Sequence, residues 1–331
     1  MSEFRTYDSA YGGDSGVDSS LTSDNESSTT SLLPTVYDFR RIHGRTYQNF
    51  SVNTEYWAPN DEKQKEAWDM MHGLLLLADG KLFDAPVPPP ALCERILDVG
   101  TGTGTWAIDV AQVYPAAQVI GTDICPIQPG FVPLNVSFQI DDAQLPWTFP
   151  DNHFDFIHMR GLVGAISDWP SLYAEVYRCL KPGGWFEHVD FSVDLKSDSG
   201  PIPDRSPWNA WQDTFLNAGD RMGKTFRVID NGANVDWFQT AGFRRLKERR
   251  STVPVGAWHA TPKWKTVGKI MEVVLDESIE GCGVYILAHV LGWTIEEAIA
   301  FIAETREALL DPLIHVYFEA STVYGQKPLR G

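Results

Sequence analysis

Cysteine is scarce in this chain. Four residues among 331, Cys93, Cys125, Cys179 and Cys282, form no Cys-x-x-Cys pair. That spacing supports neither a disulfide framework nor a metal site, and none is expected. Long apolar runs are also missing: a run such as Leu74 to Ala78 is far too short to span a bilayer. The first residues are polar and lack the apolar stretch of a secretory signal. The expected compartment is therefore the reducing cell interior, with the cytoplasm first and the nucleus as the alternative. Basic charge is in deficit, 27 Lys and Arg against 44 Asp and Glu, for a net −17. Nucleic-acid binders collect Lys and Arg on one face, so neither a direct nucleic-acid partner nor an anionic membrane is expected.

What is present suffices for a full core: 43% of the residues are apolar. Residues 1–33 are rich in Ser, Thr, Asp and Gly and cannot bury enough apolar surface to offset their ordering entropy, so they read as a disordered tail. Residues 34–90 form an N-terminal cap. It begins with mixed aromatics and continues into a helix opened by Pro59-Asn60-Asp61-Glu62, with Trp68, Met71 and Leu75 at helical spacing. A proline-rich linker, Pro86 to Pro90, ends it. Residues 91–331 then alternate strand and helix: strands at 95–99, 118–122, 136–140, 154–158 and 184–195, helices at 105–113 and 171–180. Such alternation predicts an α/β fold with a doubly wound, mostly parallel sheet. Insertions are expected near 200–240 and 262–310, the second holding the capping box Thr294-Ile295-Glu296-Glu297. Strands at 243–253 and 315–324 complete the set.

The chemistry centres on Asp98-Val99-Gly100-Thr101-Gly102-Thr103-Gly104, where a strand meets a helix. Glycines there allow a tight turn and close approach of a ligand to the backbone. A dinucleotide fingerprint, Gly-x-Gly-x-x-Gly, needs its third glycine at position 105, which is Thr105; here it is Gly104. No Gly-Lys-Ser/Thr follows the turn, which excludes a Walker A loop. Asp98, two residues before the first glycine, is a poor neighbour for a pyrophosphate but suits a ligand bearing an amino group and a sulfonium. Asp123, at the next strand end, is placed to accept from ribose hydroxyls. Asp141-Asp142-Ala143 follows the third strand, where a carboxylate or carbonyl accepts from an adenine amino group. Each of these acids alone reads equally well as a cap or turn residue. Their order on successive strands favours the ligand.

These motifs, with Leu180-Lys181-Pro182-Gly183-Gly184-Trp185-Phe186-Glu187, resemble class I methyltransferases. The upstream block His43-Gly44-Arg45-Thr46-Tyr47 through Tyr56-Trp57-Ala58-Pro59-Asn60-Asp61-Glu62 resembles the LaeA-like methyltransferases of filamentous fungi. The resemblance covers roughly residues 35 to 325. It implies a Rossmann-like, seven-stranded sheet with the last strand antiparallel, a helical cap, and S-adenosylmethionine as cofactor. It implies that Asp98, Gly100, Thr101, Gly102 and Gly104 cradle the methionine and ribose part. Asp123 and Ile124 would hold the ribose, Asp141 or Asp142 with Ala143 the adenine, and Tyr47 and Tyr56 would close over the ligand.

Methyl transfer from a sulfonium is an in-line displacement in which positioning supplies much of the rate and a general base is optional. Acceptor-side candidates lie at strand ends: His158, Met159, Arg160, Glu187, His188 and Asp190. His188 is the first choice for a base and His158 the second; a hydrogen-bonded strand-end histidine is the plain alternative for both. Trp208, Trp211, Phe215 and Trp237 read either as an acceptor pocket or as a satellite core. The basic run Arg244 to Arg250 reads as the solvated face of a strand, with a nuclear-import signal as the alternative. The leading expectation is methylation of a small-molecule intermediate in fungal secondary metabolism. The alternative is a nuclear regulator acting with velvet-type transcription factors.

Overall fold

The computed structural model describes residues 37–49, 56–204, 206–309, 311 and 313–329. The expected tail, 1–33, lies outside them. The first element is a hairpin, β1 (Arg40–Ile42) and β2 (Arg45–Tyr47). It turns at His43 and Gly44, both at positive φ (46° and 83°), the conformation that a two-residue hairpin turn requires. Helix α1 (Glu62–Asp79) starts where Asp61 accepts from the Gln64 amide and ends at Gly80 in the left-handed conformation.

The central units follow: β3 (Arg95–Val99), α2 (Thr105–Val113), β4 (Gln118–Asp123), β5 (Val136–Ile140), β6 (Phe154–Arg160), α3 (Trp169–Cys179) and β7 (Leu180–Ser197). The chain continues through α4 (Pro207–Met222), α5 (Ala233–Ala241), β8 (Arg244–Pro254), α6 (Pro262–Val284), α7 (Ile295–Leu309) and β9 (Val316–Gln326). The seven-stranded sheet has the order β5-β4-β3-β6-β7-β9-β8. Its first five strands are parallel, and β9 runs antiparallel to both neighbours. The fold class is thus the one expected.

Both faces of the sheet are covered, as alternate strand residues show. Leu97 and Val99 of β3 join one apolar cluster with Met159, Tyr173 and Phe186. Ile96, on the opposite face of the strand, joins another with Trp106, Val110 and Phe156. The chain reverses its direction of travel across the sheet between β3 and β6. The crevice outside the carboxyl ends of those two strands is where such sheets bind ligands.

Two features escape the sequence pattern. The β1–β2 hairpin is too short for alternation to register. Helix α6 continues into a π-helical turn, in which the Leu291 amide donates to the Ile286 carbonyl. The insertion at 200–240 is two ordinary helices, α4 and α5. The basic run is β8, an edge strand whose Arg249 pairs with Asp79 and Asp84, as a charged strand face would.

Candidate active site

The carboxyl ends of β3, β4, β5 and β6 open on one cavity of about 300 Å3. The cap supplies the rest of its lining through Tyr56, Trp57, Asn60 and the Trp68, Met71 and His72 face of α1. After β3 the chain turns through Gly100, Gly102 and Gly104, all at left-handed φ (68°, 59° and 83°). A Cβ on Gly100 would stand 2.5 Å from Leu162 Cδ2, and one on Gly104 would stand 2.3 Å from Phe138 Cζ. At Gly102 it would meet nothing within 4 Å. Gly102 is therefore the position where the backbone leaves room for a ligand.

Asp98 accepts from Thr101 Oγ1 at 2.6 Å and faces His158 Nδ1 at 2.7 Å. The two residues are register partners on β3 and β6. Burial pushes the His158 imidazole down to about 4, although the Asp98 carboxylate opposes it. The ring is thus neutral near pH 7, with its proton on the nitrogen that faces an acceptor-only carboxylate. It stacks on Trp106, with ring centres 3.7 Å apart. Its Nε2, an acceptor, is buried and has no partner among the described residues. The same holds for Asn60 Oδ1.

At the end of β4, Asp123 accepts from the Gly102 amide at 2.8 Å and the Cys125 amide at 2.9 Å. Burial, the largest influence, pushes its carboxyl up to about 6 against the pull of these amides. After β5, Asp142 accepts from the Gln144 amide at 3.0 Å, and burial raises the neighbouring Asp141. The surroundings fit S-adenosylmethionine: an open glycine face, three successive acidic strand ends, and two buried acceptors without partners.

Asp98, Gly100, Thr101, Gly102, Asp123, Ile124, Asp141, Asp142, Ala143, Tyr56 and His158 all line this cavity. Of the acceptor-side candidates, Met159, Glu187 and Asp190 do not line it, and neither do three of the expected cofactor-binding residues and bases. Gly104 caps α2 and lets it pack on Phe138 of β5. Tyr47 is fully buried and donates to the Gly281 carbonyl at 2.7 Å, with its ring 5.0 Å from that of Tyr285. It ties the hairpin to α6 and does not line the cavity. His188 is fully buried, its nitrogens taken by Tyr173 Oη (2.6 Å) and Asp190 Oδ2 (3.1 Å). Side chains alternate along β7, so Glu187 shares the face of its register partner His158, and His188 points into the opposite core. His188 is in no position to take a proton from an acceptor in the cavity.

The aromatic insertion is core. Trp208 and Phe215 are buried, and Trp237 stacks on Trp169 with centres 5.0 Å apart. Trp211 packs on Phe215 and Phe301. None of the four lines the cavity; Phe215 instead backs Trp57, edge-on at 5.5 Å. Several lining residues went unremarked in the sequence, among them His72, Trp106, Leu162 and Phe191. Only His72 carries a signal, four residues after Trp68 on the helix face whose apolar spacing is legible.

Residues 45–248 match a family described as a methyltransferase domain. "Methyltransferase pytC" of Aspergillus terreus is 36% identical over 92% of this chain and 93% of its own length. "Secondary metabolism regulator LAE1" of Cochliobolus heterostrophus is 35% identical, with 83% and 90% covered. "Protein-methionine methyltransferase laeA" of Emericella nidulans is 31% identical, with 88% and 77% covered.

Proposed function

The chain belongs to this methyltransferase-domain family, with S-adenosylmethionine as methyl donor, and from that premise we propose that its acceptor is a small, largely apolar intermediate of fungal secondary metabolism. One observation carries this reading. Beyond the glycine turn and the end of β6, the cavity wall is apolar, formed by Leu162, Val163, Ile166 and Phe191. Trp57 seals it, its Nε1 donating to the Val163 carbonyl at 3.0 Å. A concave, mostly apolar wall with few polar groups suits a small molecule.

The donor, when bound, supplies an electrophilic methyl group on a cationic sulfur. The chain's own residues bind, orient and exclude water. Asp123 offers carboxylate oxygens to a diol, and Tyr56, Trp57 and Trp68 present aromatic faces to positive charge. Neutral and weakly basic, His158 suits accepting a hydrogen bond better than removing a proton at neutral pH. The site thus favours an acceptor that arrives nucleophilic, such as an amine, a thiolate or an acidic phenol. Incubating the purified protein with methyl-labelled S-adenosylmethionine, and with either a small-molecule extract of the source organism or its nuclear protein, tests this. Label is expected in a small molecule; label in protein alone sinks the proposal.

A further inference from the structure

Arg160 is the last residue of β6, one step beyond the pair that Val99 makes with Met159, so it stands level with Gly100 at the start of the glycine turn. Lying two residues past His158, it shares that residue's face of the sheet and lines the cavity. A guanidinium carries five N–H donors in a planar fork. Among the described residues, the hydrogen bond that Arg160 makes is to the neutral His72, whose Nδ1 accepts from Arg160 Nη2 at 3.0 Å. His72 Nε2 in turn donates to Asp109 Oδ2 at 2.9 Å, which fixes its tautomer and aims the fork. No carboxylate of the described residues lies within ion-pair distance of Arg160.

The two acids whose charge acts on Arg160, Asp98 and Glu187, are committed elsewhere. Asp98 holds Thr101 and His158. Glu187 accepts from the Asp84 and Ala85 amides at 2.7 and 2.6 Å. A cation in a partly desolvated wall is costly without an anion. Arg160 also borders a second cavity, but at about 30 Å3 that one has room for little more than a water molecule.

We infer that Arg160, aimed by His72 and Asp109, is a carboxylate clamp at the glycine-turn end of the cavity. The inference rests on the methyl-donor reading of the site. Its anion is either the amino-acid carboxylate of the donor or a carboxylate on the acceptor, and both present the same planar pair of oxygens to the fork.

Calorimetric titration of the full chain with S-adenosylhomocysteine, and with its decarboxylated analogue, reads the clamp without turnover. Wild type is expected to favour the carboxylate-bearing ligand by roughly 10- to 100-fold, the range of a hydrogen bond between charged groups. Arg160→Met should bring the two ligands to within about threefold by weakening the first alone. If Arg160→Met fails to fold, Arg160→Lys, which keeps the charge and loses the fork, should retain only part of the preference. A second arm titrates the S-adenosylhomocysteine-loaded protein with an aromatic carboxylic acid and its amide. An Arg160-dependent preference confined to that arm assigns the carboxylate to the acceptor. Variants that match wild type in both arms overturn the clamp. A wild type that binds neither nucleoside overturns the donor reading beneath it.

Discussion

At the level of single residues, Asp123 joins the glycine turn to the cavity wall. Its carboxylate fastens Gly102 and Cys125 to the end of β4 while remaining in the cavity wall. Burial leaves it protonating near pH 6. S-adenosylhomocysteine affinity, followed by calorimetry, should therefore be level above about pH 7 and fall as the pH drops through 6. Asp123→Asn should abolish that pH dependence and cost roughly 10- to 100-fold in affinity, as expected for losing hydrogen bonds to a charged acceptor. An Asp123→Asn protein that binds as wild type does would remove the residue from the site. His158 shows how a residue's neighbours change its use. A strand-end histidine suggests a base, but a stacked indole and full burial leave a ring too weakly basic for that work at neutral pH.

At the level of elements, the turn between β3 and α2 divides its labour among three glycines with the same sign of φ. Gly104→Ala forces a Cβ into Phe138 as well as into a left-handed backbone. It should destabilise the fold by roughly 2–4 kcal/mol in urea denaturation. Gly102→Ala meets no atom, so roughly 1–2 kcal/mol is expected from its backbone alone. Because its new methyl would enter the open space proposed for the ligand, S-adenosylhomocysteine binding should nevertheless fall more than about tenfold. The reverse ranking, Gly102→Ala unfolding and Gly104→Ala merely losing ligand, would contradict this division. The spacing of these glycines is plain in the sequence, but their different neighbours are not, because Phe138 is brought to the turn from β5 and Leu162 from the loop after β6. Elements follow the same rule. Strands β3 to β6 are short segments, apolar or alternating, bounded by turn residues and readable from the chain. The β1–β2 hairpin is too short to carry a period, and the helical spacing of Trp208, Trp211 and Phe215 cannot say whether their apolar face meets a ligand or another helix.

For the molecule as a whole, the sheet's polar face has a consequence for stability. Glu187 sits beside His158 in register, almost wholly buried, and burial pushes its carboxyl up to about 8. A carboxyl raised on folding stabilises the fold fully below its unfolded value and loses that contribution as the pH rises through the folded one. The ligand-free Tm should thus decline between about pH 5 and 9. Glu187→Gln, whose amide oxygen still accepts from Asp84 and Ala85, should flatten the decline. Equal slopes for the two proteins in differential scanning calorimetry would count against the assignment. Local order along the chain was enough to determine the fold class, the donor and the acidic strand ends that line the cavity, because each depends on residues a few positions apart on one strand and its turn. Tertiary structure alone decided which histidine meets the cavity, that Tyr47 and the aromatic insertion are core, and that no carboxylate of the described residues comes within ion-pair distance of Arg160. Each of those depends on which face of a strand or helix meets which distant neighbour. The glycine turn therefore names the donor from sequence, and the packing around it decides what else the cavity can hold.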